Sequence, residues 1–114
     1  MSSAKFNLVI RGYHVYQDVW KAKLNDELIF KCDMTNRFDK YAVKAVFNHS
    51  VVGHVPRDIS KVCFNFIKGG GTIQGKVIGK RQNRGKGLEI PVTYEFVGRE
   101  KRIQKLTDLL KSHV

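Results

Sequence analysis

Residues 41–56, YAVKAVFNHSVVGHVP, decide the fold. Two apolar, β-branched runs flank Asn48, His49 and Ser50, which are residues that favour a tight reversal. The stretch therefore predicts a β-hairpin. Pro56 has no N–H for a ladder and ends the second strand. Just upstream, in CDMTNRFDKYAVKAV (32–46), hydrophobic periodicity stops. Asn36 and Asp39 are turn formers, because their side chains bond nearby backbone and tolerate unusual dihedrals. Phe38, between Arg37 and Asp39, has no such turn chemistry to offer.

Working outward, KFNLVIRGYHVY (5–16) and DELIFKC (26–32) predict strands, with Gly12 marking a bulge or bend in the first. RDISKVCFNFIKGGG (57–71) predicts a short amphipathic helix, with Ile59, Val62, Cys63 and Phe66 on one face and a glycine stop at Gly69. GTIQGKVIGK (71–80) and GLEIPVTYEFVG (87–98) predict two more strands, joined by the polar loop KRQNRGKG (80–87). In the second of these, Leu88, Ile90, Val92, Tyr94 and Phe96 alternate with other residues, the mark of a half-buried strand. REKRIQKLTDLLKSHV (99–114) predicts a helix with Ile103, Leu106, Leu109 and Leu110 on one face. Trp20, Phe47, Phe64 and Phe66 are expected in the core. The sum is a mainly β single domain over 1–114, with a core over about 6–98 and a terminal helix over about 99–112. About six strands, a short internal helix and a C-terminal helix suggest a small barrel of oligonucleotide-binding type.

The chain has 114 residues, enough for a core without a metal or a disulfide. No apolar run reaches the roughly 20 residues that span a bilayer. MSSAKFNLVIRG is too short in its apolar part to read as a signal peptide, so an intracellular location is expected, nuclear in a eukaryote. Cys32 and Cys63 are expected as buried free thiols. His14, His49, His54 and His113 do not fall at metal-ligand spacing, and no cofactor is implied. The chain has no nucleophile elbow and no paired carboxylates. In KGGGTIQGKVIGK the glycines lack the Lys-Ser/Thr order that cradles a phosphate, so an enzyme is not expected.

Lys and Arg total 21 against 10 Asp and Glu, a net charge of +11. Such an excess favours an anionic partner, with nucleic acid foremost. Lys80, Arg81, Arg84 and Lys86 lie close together on a glycine-flanked loop that could follow a phosphate backbone or simply form a solvated hairpin tip. Tyr13, Tyr16, Trp20, Phe38 and Tyr41 lie near turns and strand ends. Aromatic faces there can stack bases, at roughly 1–3 kcal/mol each.

The order of these pieces resembles the HIRAN domain family from about Phe6 to Gly98. IRGYHVY ends a strand, and NRFDKYAV matches the family's Asn-x-x-Asp-x-x-Ala-[Ile/Val] at Asn36, Asp39, Ala42 and Val43. VGHVPR then matches its Val-Gly-[His/Tyr] element at Val52, Gly53 and His54. The resemblance implies a modified oligonucleotide-binding barrel that grips the free 3′-hydroxyl end of single-stranded DNA. It would make Asp39 the acceptor of the terminal hydroxyl and Phe38 a ring against the terminal base. Tyr16 would be a pocket tyrosine, and His54 and Arg57 contacts to the last phosphates. A carboxylate repels an internal phosphate but accepts from a hydroxyl, so it would select an end. His14 and Val15 stand where the family's best-understood member has Arg and Tyr, and Leu88 stands where it has Phe. These changes remove stacking surfaces and shift recognition toward the backbone. They leave open an alternative, a protein-interaction domain whose more aliphatic pocket binds an acidic peptide or a second copy. A monomer is the expected state of the DNA-binding form.

Overall fold

The computed structural model describes residues 1–83, 85 and 87–112. Its elements are β1 (Ser2–Arg11), α1 (Tyr13–Tyr16), β2 (Glu27–Cys32), β3 (Val43–Phe47), β4 (Ser50–His54), α2 (Arg57–Lys68), β5 (Thr72–Val77), β6 (Gln82–Asn83), β7 (Leu88–Gly98) and α3 (Glu100–Lys111). The sheet runs β1-β4-β3-β2-β5-β7, and β1 also pairs with β7, so six strands close into a barrel. The short β6 is an extra strand on β7. β1 and β7 are antiparallel over the whole run from Ser2↔Gly98 to Arg11↔Glu89, whereas β1 meets β4 only at Arg11↔His54. The barrel therefore closes at the end of β1 nearest Gly12.

The hairpin read from residues 41–56 forms as β3 and β4, with Asn48 (φ 47°) and His49 (φ 69°) both left-handed at its tip. Such a turn matches the right-handed twist of the strands it joins. The ladder slips between Ala45 and Val46, so Val52 is an extra residue in β4 and the strand bends there. Gly53 follows. A Cβ at Gly53 would lie 2.9 Å from the Arg11 carbonyl oxygen, and only glycine lets β1 approach this closely.

Alternation fills the interior. Ile90, Val92, Tyr94 and Phe96 of β7 are fully buried and meet Ile10, Leu28, Phe30, Val43, Ala45 and Ile73. The Phe30 and Tyr94 rings pack tilted at 34° with 4.5 Å between centroids, and Phe66 of α2 meets Phe96 edge-on at 5.5 Å. Trp20, Phe64 and Phe66 are buried as expected, and Phe47 packs partly buried against Trp20 at 5.6 Å. α2 buries Ile59, Cys63, Phe64 and Phe66, and ends at Gly69 as read.

Four local expectations need correction. YHVY is a helical turn and not the end of a strand, because Gly12 (φ 83°) turns the chain into the left-handed region. The 80–87 loop contains β6, with Gln82 opposite Glu89. Leu109 is 41 % exposed while Ile103, Leu106 and Leu110 are buried; at about 100° per residue it lies roughly 240° around from Ile103, on the outer side of α3. Cys63 is buried, but Cys32 is only half-buried. Burial pushes the Cys63 thiol up to about 12.

Candidate nucleic-acid interface

The loop between β2 and β3 is tied together by its own polar side chains. Asp33 N–H donates to the Ala42 carbonyl (2.8 Å) and closes the loop's base. Asn36 Oδ1 accepts from the N–H groups of Phe38 (2.9 Å) and Asp39 (3.0 Å), and Asp39 Oδ1 accepts from Tyr41 N–H (2.9 Å). These are two successive side-chain-capped turns, the geometry that Asn and Asp favour. α2 braces the loop from outside. An Arg57 guanidinium N–H donates to the Phe38 carbonyl (2.6 Å), Ser60 Oγ donates to Asp39 Oδ2 (3.3 Å), and Arg57 Nε lies 3.8 Å from the same oxygen. The backbone at Phe38 is thus held while its side chain is 88 % exposed.

A second set of residues meets at the barrel seam. Gly12 sends α1 back across the end of the barrel, and Val15 N–H bonds the Gly12 carbonyl (3.0 Å). Tyr13 goes inward: it packs edge-on to Trp20 at 5.6 Å and donates its hydroxyl to the Trp20 carbonyl (2.8 Å). That anchor turns His14 and Val15 outward and leaves Tyr16 half-buried, its ring 6.4 Å from that of His54. His54, at the end of β4, has Nε2 3.2 Å from Asp33 Oδ2. Burial alone would raise the Asp33 carboxyl, but hydrogen bonds from His54 and Thr35 hold it below its ordinary value of 3.8. Asp33 thus joins the two halves, closing the Phe38–Asp39 loop with its backbone and gripping His54 with its side chain.

Asp33 is a residue that sequence reasoning missed. Its signal was faint: an acid three positions before Asn36 at the edge of a turn cluster. Only folding brings it to His54, 21 residues away.

On the far side of α1, His14 lies beside Gly87, where a Cβ would be 3.7 Å from its Nδ1. Arg81 donates to Gln17 Oε1 (3.3 Å) and ties the basic loop to α1, while Lys80 is exposed. Arg84 and Lys86 lie outside the described residues. The aromatics divide sharply: Tyr13 and Trp20 belong to the core, and Tyr41 meets Phe64 edge-on at 5.5 Å with Lys40 and Lys61 each 5.2 Å from its ring centre. Tyr16 and Phe38 keep accessible faces. Val15 is 64 % exposed, and Leu88 packs partly buried against the core.

The HIRAN domain model matches residues 3–101. No curated protein sequence matches the chain significantly. Among solved structures, the crystal structure of the HIRAN domain of human HLTF is similar, with a TM-score of 0.76 and 22 % identity over 97 % of this chain and 92 % of that one. An NMR structure of the HLTF HIRAN domain in its DNA-bound conformation gives 0.66 and 20 % identity, over 96 % and 87 %. A crystal structure of a protein from Lactobacillus plantarum gives 0.57 and 13 % identity, over 82 % and 98 %. Those likenesses carry the fold, and the match along nearly the whole chain carries the family: this protein belongs to the HIRAN domain family.

Proposed function

We propose that this chain is a non-catalytic nucleic-acid-binding module that takes single-stranded DNA and holds its free 3′-hydroxyl end. The observation that carries the reading is Phe38. Leaving a phenylalanine in water forgoes about 1.5–3 kcal/mol of burial, and here the ring stands 88 % exposed on a loop whose backbone is tied by Asn36, Asp39 and Arg57. A ring presented in advance loses little entropy when a base stacks on it. Family membership and the DNA-bound structure of an HLTF HIRAN domain point the same way. The hydroxyl would go to Asp39. Its carboxylate accepts from Tyr41 and Ser60 and retains lone-pair capacity for one more donor. Arg57, Lys80 and Arg81, with His54 and Tyr16 beside the loop, supply phosphate and sugar contacts. A DNA partner would place the module in the nucleus of a eukaryotic cell.

Fluorescence anisotropy with one labelled single strand in three forms tests this: a 3′-hydroxyl, a 3′-phosphate and a circle. The hydroxyl form should bind best, and affinity should rise steeply as salt falls. Equal binding of all three forms refutes end selection. No binding tighter than about 100 μM in low salt, the weak edge of nonspecific nucleic-acid affinity, refutes the module itself. Exposed Val15 and Val19 favour a second reading, an acidic peptide seated against α1; competition between such a peptide and the oligonucleotide separates the two.

A further inference from the structure

The proposed end-binding site uses His54 and leaves the basic row in which it stands without a role. Cross-strand register sets Lys31 opposite Lys44, Lys44 opposite His54, and His54 opposite Arg11. Residues directly opposite one another share a face of the sheet. Phe30, Val43 and Ala45 point inward, so this row lies on the outer face of β2, β3, β4 and β1. It spans three interstrand steps, about 14 Å at about 4.8 Å each. Arg11 is held by Glu89 at 2.8 Å and His54 by Asp33, but Lys31 and Lys44 have no acid within ion-pair distance among the described residues.

Like charges directly opposite one another weaken a sheet, yet the chain keeps this pair while its neighbours are matched. Glu27 stands opposite Lys76, and Lys5 opposite Glu95. Lys31 and Lys44 border an open groove of about 1050 Å³ that Ile29, Val46 and Val51 also line, with Ile29 53 % exposed. The groove's acids are Asp26, Glu27 and Glu95, of which Glu27 and Glu95 stand opposite Lys76 and Lys5. Two unanswered cations beside an aliphatic shelf, in line with His54, match a chain of regularly spaced anions whose other groups are flat and partly apolar.

We propose that the Lys31–Lys44 row carries the phosphates of a single strand leaving the end-binding loop, with its sugars and bases over Ile29, Val46 and Val51. This inference rests on the nucleic-acid reading and adds a track to it. Barrels of this kind cover about 4–16 nucleotides, more than an end pocket alone can hold.

The test titrates the wild type and the Lys31→Ala/Lys44→Ala double variant with 3′-hydroxyl oligothymidylates of two and ten nucleotides, across a salt series. Each phosphate contact on a single strand contributes about 0.7 to the slope of log K against log salt. The double variant should lose about 1.4 from the ten-nucleotide slope, roughly 25-fold in affinity at 0.1 M relative to 1 M salt. The dinucleotide should bind both proteins alike, and Lys31→Arg/Lys44→Arg should restore the slope. Should the alanine variant melt early, Lys44→Gln alone, with about half the slope change, makes the same test. An unchanged ten-nucleotide slope in a wild type that binds DNA overturns the track and leaves end binding standing. So does equal loss on both lengths. Capture of polyglutamate in place of the ten-nucleotide strand also overturns it. A wild type that binds neither strand removes the parent reading instead.

Discussion

Replacing Asp39 with Asn separates the two tasks that one carboxylate would perform. In the fold, Asp39 accepts from Tyr41 N–H at 2.9 Å and Ser60 Oγ at 3.3 Å, with Arg57 Nε at 3.8 Å. Asn keeps an oxygen for Tyr41 and loses the charge. A hydrogen bond to a charged group is worth about 1.5–3 kcal/mol and a neutral one about 0.5–1.5, so the short bond weakens by about 1 kcal/mol. The Arg57 side chain is 73 % exposed, which limits its ion pair to a few tenths of a kcal/mol. The total, about 1–2 kcal/mol, lowers Tm by about 4–8 °C in a domain of this size. The protein therefore remains folded at 25 °C, where anisotropy is read. On a 3′-hydroxyl strand the loss of a charged acceptor should weaken binding about tenfold, equivalent to about 1.4 kcal/mol. On a 3′-phosphate strand the same change removes a repulsion and adds an N–H donor, so binding should improve. The hydroxyl-to-phosphate preference should then fall at least tenfold. Parallel changes on both strands, with melting as forecast, would leave Asp39 a loop brace alone and refute end selection by this residue.

Phe38→Ala should leave thermal stability within about 0.5 kcal/mol, because an exposed ring contributes little packing, while weakening single-strand binding by about 1–3 kcal/mol; a lowered melting temperature with unchanged binding would reverse that assignment. Asp33 has a lowered pKa in the fold, so the stability it contributes is fully present above its ordinary value of 3.8 and is lost as pH falls through the lower folded value. Melting curves should show a gap between wild type and Asp33→Asn at neutral pH that narrows as pH falls below 3.8. Gly53→Ala drives a Cβ to 2.9 Å from the Arg11 carbonyl and 3.0 Å from Ile10 Cδ1. It should cost about 1–3 kcal/mol in urea unfolding, as overpacking does, and broaden the His54 and Tyr16 resonances together, since both sit on that seam.

The barrel's parts were legible in the sequence because each rests on a local rule. Period-two alternation marked β7, the Asn48–His49 tip marked the hairpin, and glycine and helical spacing bounded α2. The Asn36 and Asp39 turns were legible for the same reason: their hydrogen bonds span two or three residues. What the sequence could not show depends on contacts across the chain. YHVY reads as a strand until Gly12 turns the chain and Tyr13 finds the Trp20 carbonyl inside the barrel, where a buried hydrogen bond outweighs a modest β propensity. Leu109 reads as core only while α3 lacks an orientation; docking on Ile103, Leu106 and Leu110 turns it outward. Asp33 reaches His54 over 21 residues, and the Lys31–Lys44–His54–Arg11 row exists only once the register of four strands is set. That register follows from the closure of the barrel and the bulge at Val52, which no short window contains. Local hydrogen bonds and periodicity wrote the elements into the sequence, and only barrel closure decided which charges would share a face.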